Sequence, residues 1–483
     1  MSATRPYPQI NSFKSIEVFR EHAAALGLDL PADDSILTET ASPLAQPVAN
    51  VLINGRRIGN RWATQPMEGW DGTPTGAPTD DTRRRWRRFG ESGAKLIFGG
   101  EAMAVRMDAR ANPRQLVIND ANKKSLAELV TIVRKAHREL HGTDEDLVVG
   151  FQLTHSGRFC RPNDNRRPEP QVAFRHPLLD HRTGVTDDSQ ILRDPDIQAI
   201  IEDFVRAARI ASDVGADFVD LKHCHGYLLH EILAAHTRPG RYGGSFENRS
   251  RPLREIVAGI RAAGVRIDLA VRLSAFDTVP YHPDPPQDAS GRPGPGVPDD
   301  FQSCLPYKYG FAINHANPVE PDLTESFAFL KLCGELGIKM LNVTGGSPYY
   351  NPHVQRPALF PPSDAYQPPE DPLVGVARHI HVTRQLKTQA PPGMVLIGSA
   401  YTYLQDYLPH VAQAVLRKGW TDIVGLGRAI LAYPTMLSDA LKKGSMNSKQ
   451  ICRTFSMCTT APRKGEISGC YPLDPYYKSK RKR

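Results

Sequence analysis

From Arg61 to Lys443 short apolar runs alternate with longer stretches in which apolar residues recur every three or four positions. The apolar runs span residues 61–66, 95–98, 147–153, 217–221, 268–273, 339–343, 394–398 and 422–426. Each is bounded by Gly or polar residues, as strands buried on both faces are. The periodic stretches span 79–92, 122–140, 196–214, 248–263, 323–336, 371–388, 404–418 and 428–442, and they predict amphipathic helices. Asp196 and Asn248 stand where N-caps belong, and Gly215 and Gly264 where helices stop. Such alternation predicts an α/β fold, a parallel sheet with helices outside. Eight units predict a closed (β/α)8 TIM barrel.

Other segments fall outside this repeat. Residues 51–60 read as a hairpin turning at Asn54-Gly55, placed to cap the N-terminal end of the barrel. Residues 12–27 form one amphipathic helix outside it. Residues 274–322 are Pro-rich with no helical pattern, and so are residues 352–372. The first of these leaves the C-terminal end of the fifth strand, where barrel active sites lie, and it is read as a lid. The predicted organisation is an N-terminal extension (1–50), a barrel (51–445) with the insertion 275–322, and a Cys-containing tail (446–483).

Composition narrows the function. The 483 residues hold 60 Lys+Arg against 52 Asp+Glu, a net charge of +8. No basic stripe with interleaved aromatics appears, so nucleic acid is not expected as a partner. No apolar run reaches the ~18 residues of a membrane span, and residues 1–10 lack a signal-like apolar core. The expectation is a cytoplasmic protein, with no membrane partner, that acts on a small molecule; a homo-oligomer is left open. Seven scattered cysteines do not make a disulfide framework. The basic end, 478–483, reads as a solvated terminus rather than a nuclear address.

Barrel chemistry sits at strand C-termini. The ends of strands seven and eight, Gly398-Ser399-Ala400 and Gly427-Arg428, suit a phosphate: small residues admit it and Arg428 adds a charge-assisted contact. The fourth end, Lys222-His223-Cys224-His225-Gly226-Tyr227, is richest. A metal is disfavoured there, because no carboxylate or third His has matching spacing. A hydrogen-bonding cluster fits better, with Tyr227 as a weak acid. His223 and Cys224 are read as packing behind the strand.

These ends, in this order, resemble the old yellow enzyme family of FMN-dependent ene-reductases. The resemblance rests on Asn60-Arg61 followed by Pro66-Met67, on Gln152-Leu153-Thr154-His155-Ser156-Gly157-Arg158, on the run from Lys222 to Arg251 with its Tyr-Gly-Gly-Ser and Glu-Asn-Arg, and on Gly427-Arg428. It covers residues 45–445. It implies FMN at the barrel mouth and NAD(P)H as co-substrate. Gln65, Pro66, Met67, Glu68 and Ala102 would line the flavin, and Gln152 would bond its pyrimidine edge. Arg272 would sit beside N1–O2, and Gly398, Ser399, Gly427 and Arg428 would hold the phosphate. His225 would bind the substrate carbonyl, Trp70 would contact the substrate, and Tyr227 or water would be the proton donor. The implied reaction reduces an activated C=C bond.

The chain departs from the family in three places. Lys222 replaces a usual His, a second carbonyl donor of greater charge. Glu68 replaces a Thr or Cys that tunes the flavin, and it is expected either to pair with Lys222 or to turn away to an Arg. The 274–322 insertion is foreign to small members. Larger relatives carry an iron–sulfur cluster on four cysteines after the barrel; here Cys452, Cys458 and Cys470 remain and Thr454 stands in a ligand position, which disfavours a cluster. The alternatives are an oxidative amine dehydrogenase or demethylase, a non-catalytic flavin-binding redox protein, and a flavin-free hydrolase using Glu68 and Glu101.

Overall fold

The computed structural model describes residues 7–49, 51–287 and 291–480. Its strands are β1 (Trp62–Thr64), β2 (Leu96–Ile97), β3 (Ala102–Ala104), β4 (Val148–Thr154), β5 (Phe218–His223), β6 (Asp268–Ser274), β7 (Tyr281–Pro283), β8 (Gly296–Pro298), β9 (Met340–Thr344), β10 (Val395–Gly398) and β11 (Ile423–Leu426). All except β7 and β8 form one parallel sheet. It runs β1-β2-β4-β5-β6-β9-β10-β11 and closes because β11 pairs with β1. The eight apolar runs are the eight barrel positions.

The second position is broken. Gly99 (φ 86°) and Gly100 (φ 50°) interrupt it, so β2 and β3 pair with β4 in succession. A Cβ on Gly100 would come within 2.7 Å of the Trp86 ring. Register then levels the inward residues: Lys222 lies opposite Arg272, and Arg272 opposite Asn342.

The helices lie where the periodicity puts them, with local corrections. Asp196 is not the cap but the third helical residue, and its carboxylate accepts from the Arg193 N–H at 2.8 Å. Asn248 lies inside a separate turn, Phe246–Arg249, capped by Ser245. The stretch expected over 428–442 breaks into Arg428–Ala432 and Met436–Lys443 around Pro434, which lacks the N–H a helix interior needs. Gly215 (φ 88°) and Gly264 (φ 66°) do end their helices.

The Asn54-Gly55 hairpin closes the barrel floor. Both residues have positive φ, 49° and 75°, as a tight two-residue turn requires. Its Ile53 and Ile58 pack on Phe98, Phe218 and Ile423. The Asn54 N–H donates to Asp268 at 2.6 Å.

Two segments build walls at the opposite end. In the insertion, β7 and β8 form a hairpin. Arg182 holds it, pairing with Asp299 at 2.5 Å and donating to the Tyr281 carbonyl at 3.0 Å. The C-terminal tail is folded down onto the barrel: Arg84 pairs with Asp474 at 2.9 Å, and Asp81 accepts from the Tyr476 hydroxyl and Lys480 at 2.6 Å each. Residues 481–483 of the basic end lie outside the described residues. Among the described residues no helix is long and apolar enough to cross a membrane.

Candidate active site

A cavity of about 730 Å³ opens at the C-terminal ends of the strands. Its floor brings together Gln65, Pro66, Met67, Ala102, Gln152, Arg272, Ser399, Gly427 and Arg428, and its walls carry Glu68, Trp70, Lys222, His225 and Tyr227. Of the residues expected at the site, Gly398 alone does not line it; its carbonyl lies one step below and accepts from Gln65 at 3.4 Å.

The floor is pre-organised by buried amides. Gln65 Nε2 donates to Asn342 and to the Ser399 hydroxyl, each at 3.1 Å, and Asn342 donates back to Gln65 Oε1 at 2.5 Å. The Ser399 hydroxyl is thus committed to the barrel interior. Gln152 donates to Asp220 at 2.5 Å. Burial raises the Asp220 carboxyl to about 6, and its second oxygen has no partner.

The β5 end builds one wall. His225 sits in a left-handed conformation (φ 66°), followed by Gly226 (φ 76°). Ser274 Oγ accepts from its N–H at 3.0 Å, and its carbonyl accepts from Ser347 Oγ at 2.8 Å. These bonds hold a conformation that costs of order 1–3 kcal/mol in a non-Gly residue, and that cost is stored where the side chain turns into the cavity. Burial and the nearby Arg272 and Lys222 hold the imidazole well below its usual range, so it is neutral. Lys222 Nζ lies 3.7 Å above the Tyr227 ring, a cation–π contact, and burial lowers its pKa. The Tyr227 hydroxyl donates to Glu68 Oε2 at 2.5 Å and lies 2.8 Å from the Tyr349 hydroxyl. Burial and the Glu68 charge raise its pKa well above 10.

One expectation fails here. Glu68 pairs with neither Lys222 nor an Arg; its oxygens face Tyr227 and, at 3.5 Å, Asn112. Cys224 is fully buried and does not line the cavity, and burial raises its thiol to about 11. His223 does pack behind, against Phe329 with ring centroids 5.3 Å apart.

The far end is cationic. Arg428 donates to Thr459 Oγ1 at 2.7 Å, and burial with Arg356 nearby lowers its pKa to about 10. Arg356 donates to Ser456 at 2.9 Å, and its Nη2 is buried without a partner. Cys458 lines the cavity beside them. Cys452, Cys458 and Cys470 are free thiols, and among the described residues no group of three His, Cys, Asp or Glu is arranged for a metal.

Several motif residues are structural instead. Arg249 holds Glu325 and the carbonyls of Leu233 and Gly244; Tyr242 donates to Glu255 at 2.7 Å. The longest matching run is mainly a folding staple. Arg158 is buried among Asp180, Glu231 and the Phe174 carbonyl. Glu101 is bound by Arg85 at 2.9 Å and by Trp86 at 3.2 Å, which removes it from any hydrolytic pair with Glu68.

Residues that the sequence reading missed complete the walls. Tyr349, on the loop after β9, stacks on Phe159 at 4.1 Å. Gln355 lies 3.4 Å from His225 Nε2. Arg161 and Arg356 line the cavity from loops whose Pro-rich surroundings gave no periodic signal. The only available hint was the aromatic pair Tyr349-Tyr350 just past a strand end.

The residues present fit a flavin mononucleotide. The volume suits a cofactor, since such pockets run ~300–1,000 Å³. The floor offers an apolar face in Pro66, Met67 and Ala102 and a polar edge in Gln152 and Arg272. Arg272 Nε and Thr344 Oγ1 are buried without partners, and cations stand at one end for a phosphate.

The closed (β/α)8 barrel thus carries at its mouth a cavity whose lining suits a flavin. The NADH:flavin oxidoreductase / NADH oxidase family matches residues 50–284, just under half of the chain, and over that part the chain is similar to its members. An NADPH dehydrogenase of Geobacillus sp. is 30% identical over 243 residues, 48% of this chain and 63% of that protein. The chain thus spans less than two thirds of the length of the curated relatives it matches. The old yellow enzyme homologue of Zymomonas mobilis superposes with a TM-score of 0.55 at 20% identity, over 84% of this chain and 94% of that one. Histamine dehydrogenase from Rhizobium sp. 4-9 gives 0.60 at 19%, over 91% and 53%. Both likenesses are to the shared barrel fold.

Proposed function

We propose that this chain is an FMN-dependent oxidoreductase that reduces activated C=C bonds, of the α,β-unsaturated carbonyl type, with NAD(P)H. The observation that carries the reading is the convergence of Lys222, His225 and Tyr227 on one wall above a flavin-compatible floor. When bound, FMN supplies the hydride transfer from NAD(P)H to the alkene. Gln65, Pro66, Met67, Glu68 and Ala102 would line the flavin, and Gln152, fixed by Asp220, would hydrogen-bond it. Arg272 brings a buried positive charge to the site, where pre-aligned charge is worth more than in water. Arg428 and Arg356, with the backbone at Ser399 and Gly427, would hold the phosphate.

His225, being neutral, donates one hydrogen bond to the substrate carbonyl, and Lys222 supplies a second donor that polarises it further. Trp70 bounds the substrate space. Tyr227 delivers its proton to the α-carbon. Its raised pKa keeps that proton in place until a strongly basic carbon stands beside it, and the Tyr349 hydroxyl re-supplies it. The oxidative amine reading is disfavoured by charge: Lys222, Arg272 and Arg428 would repel a substrate ammonium. The test is the visible spectrum of the purified protein under anaerobic NADPH, then cyclohexenone. Flavin absorbance that bleaches and returns supports the reading. A flavin that never bleaches leaves the non-catalytic alternative, and protein that takes up no FMN sinks the assignment.

A further inference from the structure

We propose that Arg161 forms an anion subsite beside the reacting end of the cavity, and that the substrate is an activated alkene carrying a carboxylate. This rests on the ene-reductase reading above. The cavity is lined by Arg161, Lys222, Arg272, Arg356 and Arg428, and none of them has an ion pair among the described residues. Its two lining carboxylates are engaged elsewhere: Glu68 by Tyr227 and Asn112, and Asp364 by Arg463 at 2.6 Å. Arg272, Arg356 and Arg428 are accounted for by the cofactor, and Lys222 by the carbonyl. Arg161 is left over. Its Nε is buried without a partner, a costly state for a guanidinium unless a ligand answers it.

Its position says which ligand. Arg161 lies close enough to Tyr349 to pull that phenol's pKa down, and Tyr349 touches the proton donor Tyr227 at 2.8 Å. The charge therefore stands near the reacting carbon. A dinucleotide's phosphates are separated from its nicotinamide by a ribose, so an anion on the reacting molecule itself, a substrate carboxylate, suits a cation on this side of the cavity better. The planar guanidinium fork also matches a carboxylate in two parallel bonds. The backbone that carries the arginine is held in place as well. Arg110 clamps its loop by donating to the carbonyls of Pro113 at 2.7 Å and of Pro74 and Pro162 at 2.8 Å, and the Arg161 N–H donates to the Arg110 carbonyl at 2.9 Å. A side chain on a held loop loses less entropy on binding than one whose loop must also be ordered.

The test is titration calorimetry on the oxidised holoenzyme with 4-oxopent-2-enoate and with its methyl ester, a pair differing in charge. The wild type should bind the acid at least tenfold tighter than the ester. Arg161→Gln should bring the ratio near one, and Arg161→Lys should keep part of it. No preference in the wild type, or equal weakening of acid and ester by Arg161→Gln, overturns the proposal. A variant that weakens NADP⁺ binding tenfold while keeping the acid-to-ester ratio also overturns it, and assigns the arginine to the dinucleotide. Binding needs no turnover, so the two readings separate. A preference for the acid without reduction of either compound keeps the anion subsite and refutes the ene-reductase function.

Discussion

Asp220 is the buried carboxyl that fixes Gln152, and its titration makes a quantitative prediction. Burial raises it from 3.8 to about 6, outweighing the help of Gln152, Arg272 and Lys222. Below about pH 4 both folded and unfolded chains hold the proton. Between about 4 and 6 the unfolded chain releases it while the folded one retains it, so stability falls as pH rises through this window. Above about 6 the deficit is constant. A shift of about two units at 1.36 kcal/mol each amounts to about 3 kcal/mol. Asp220→Asn keeps an acceptor for Gln152 Nε2 and never charges. At about 2.1 cal/mol/K per residue, this chain unfolds with an entropy of about 1 kcal/mol/K, so the gain corresponds to about 3 °C in Tm. The assay is thermal unfolding by circular dichroism of both proteins at pH 4 and pH 8. Equal melting at pH 4 and an advantage of about 3 °C for the variant at pH 8 are expected. A pH-independent difference, or a less stable variant at pH 8, would refute the reasoning.

Tyr227→Phe removes the proton source while keeping the ring under Lys222; stopped-flow should show reoxidation of the reduced enzyme by cyclohexenone slowed about 100-fold, and slowed far more than reduction by NADPH. Arg428→Gln deletes a charged phosphate contact worth about 1.5–3 kcal/mol, so fluorescence titration of the apoprotein should find FMN bound about 10- to 100-fold more weakly. Asp71→Ala strips Arg85 of one of its two buried carboxylates, and breaking such a pair costs about 3–5 kcal/mol, a fall in Tm of about 3–5 °C by the same scaling. An unchanged Tm there would mean that Glu101 alone neutralises the guanidinium.

The barrel was legible because burial on both faces writes each strand as an apolar run, and each outer helix as a periodic one. Those signals are local, and β4, β5 and β6 fall within two residues of their expected ends. Site residues at strand ends were legible for the same reason: topology alone puts Gln65, Gln152, Lys222, Arg272 and Arg428 at one mouth. What escaped depends on contacts far apart in sequence. Glu68 is set by Tyr227, 159 positions away, and Trp70 is held through its N–H by Ser468, 398 away, at 2.8 Å. Nothing in local pattern announces such pairings. The tail's role as a wall was hidden too, because its anchors, Arg84 with Asp474 and Asp81 with Tyr476, join segments of opposite ends of the chain.

The central claim is that hydride reaches the β-carbon and a protein-held proton the α-carbon of an activated alkene. Proton NMR of the product from cyclohexenone tests it most directly, with deuterium placed first in the transferable position of NADPH and then in the solvent. The account predicts saturated ketone with deuterium at the β-carbon in the first case and at the α-carbon in the second. Unreduced enone, or coenzyme deuterium found on the carbonyl carbon, would contradict it.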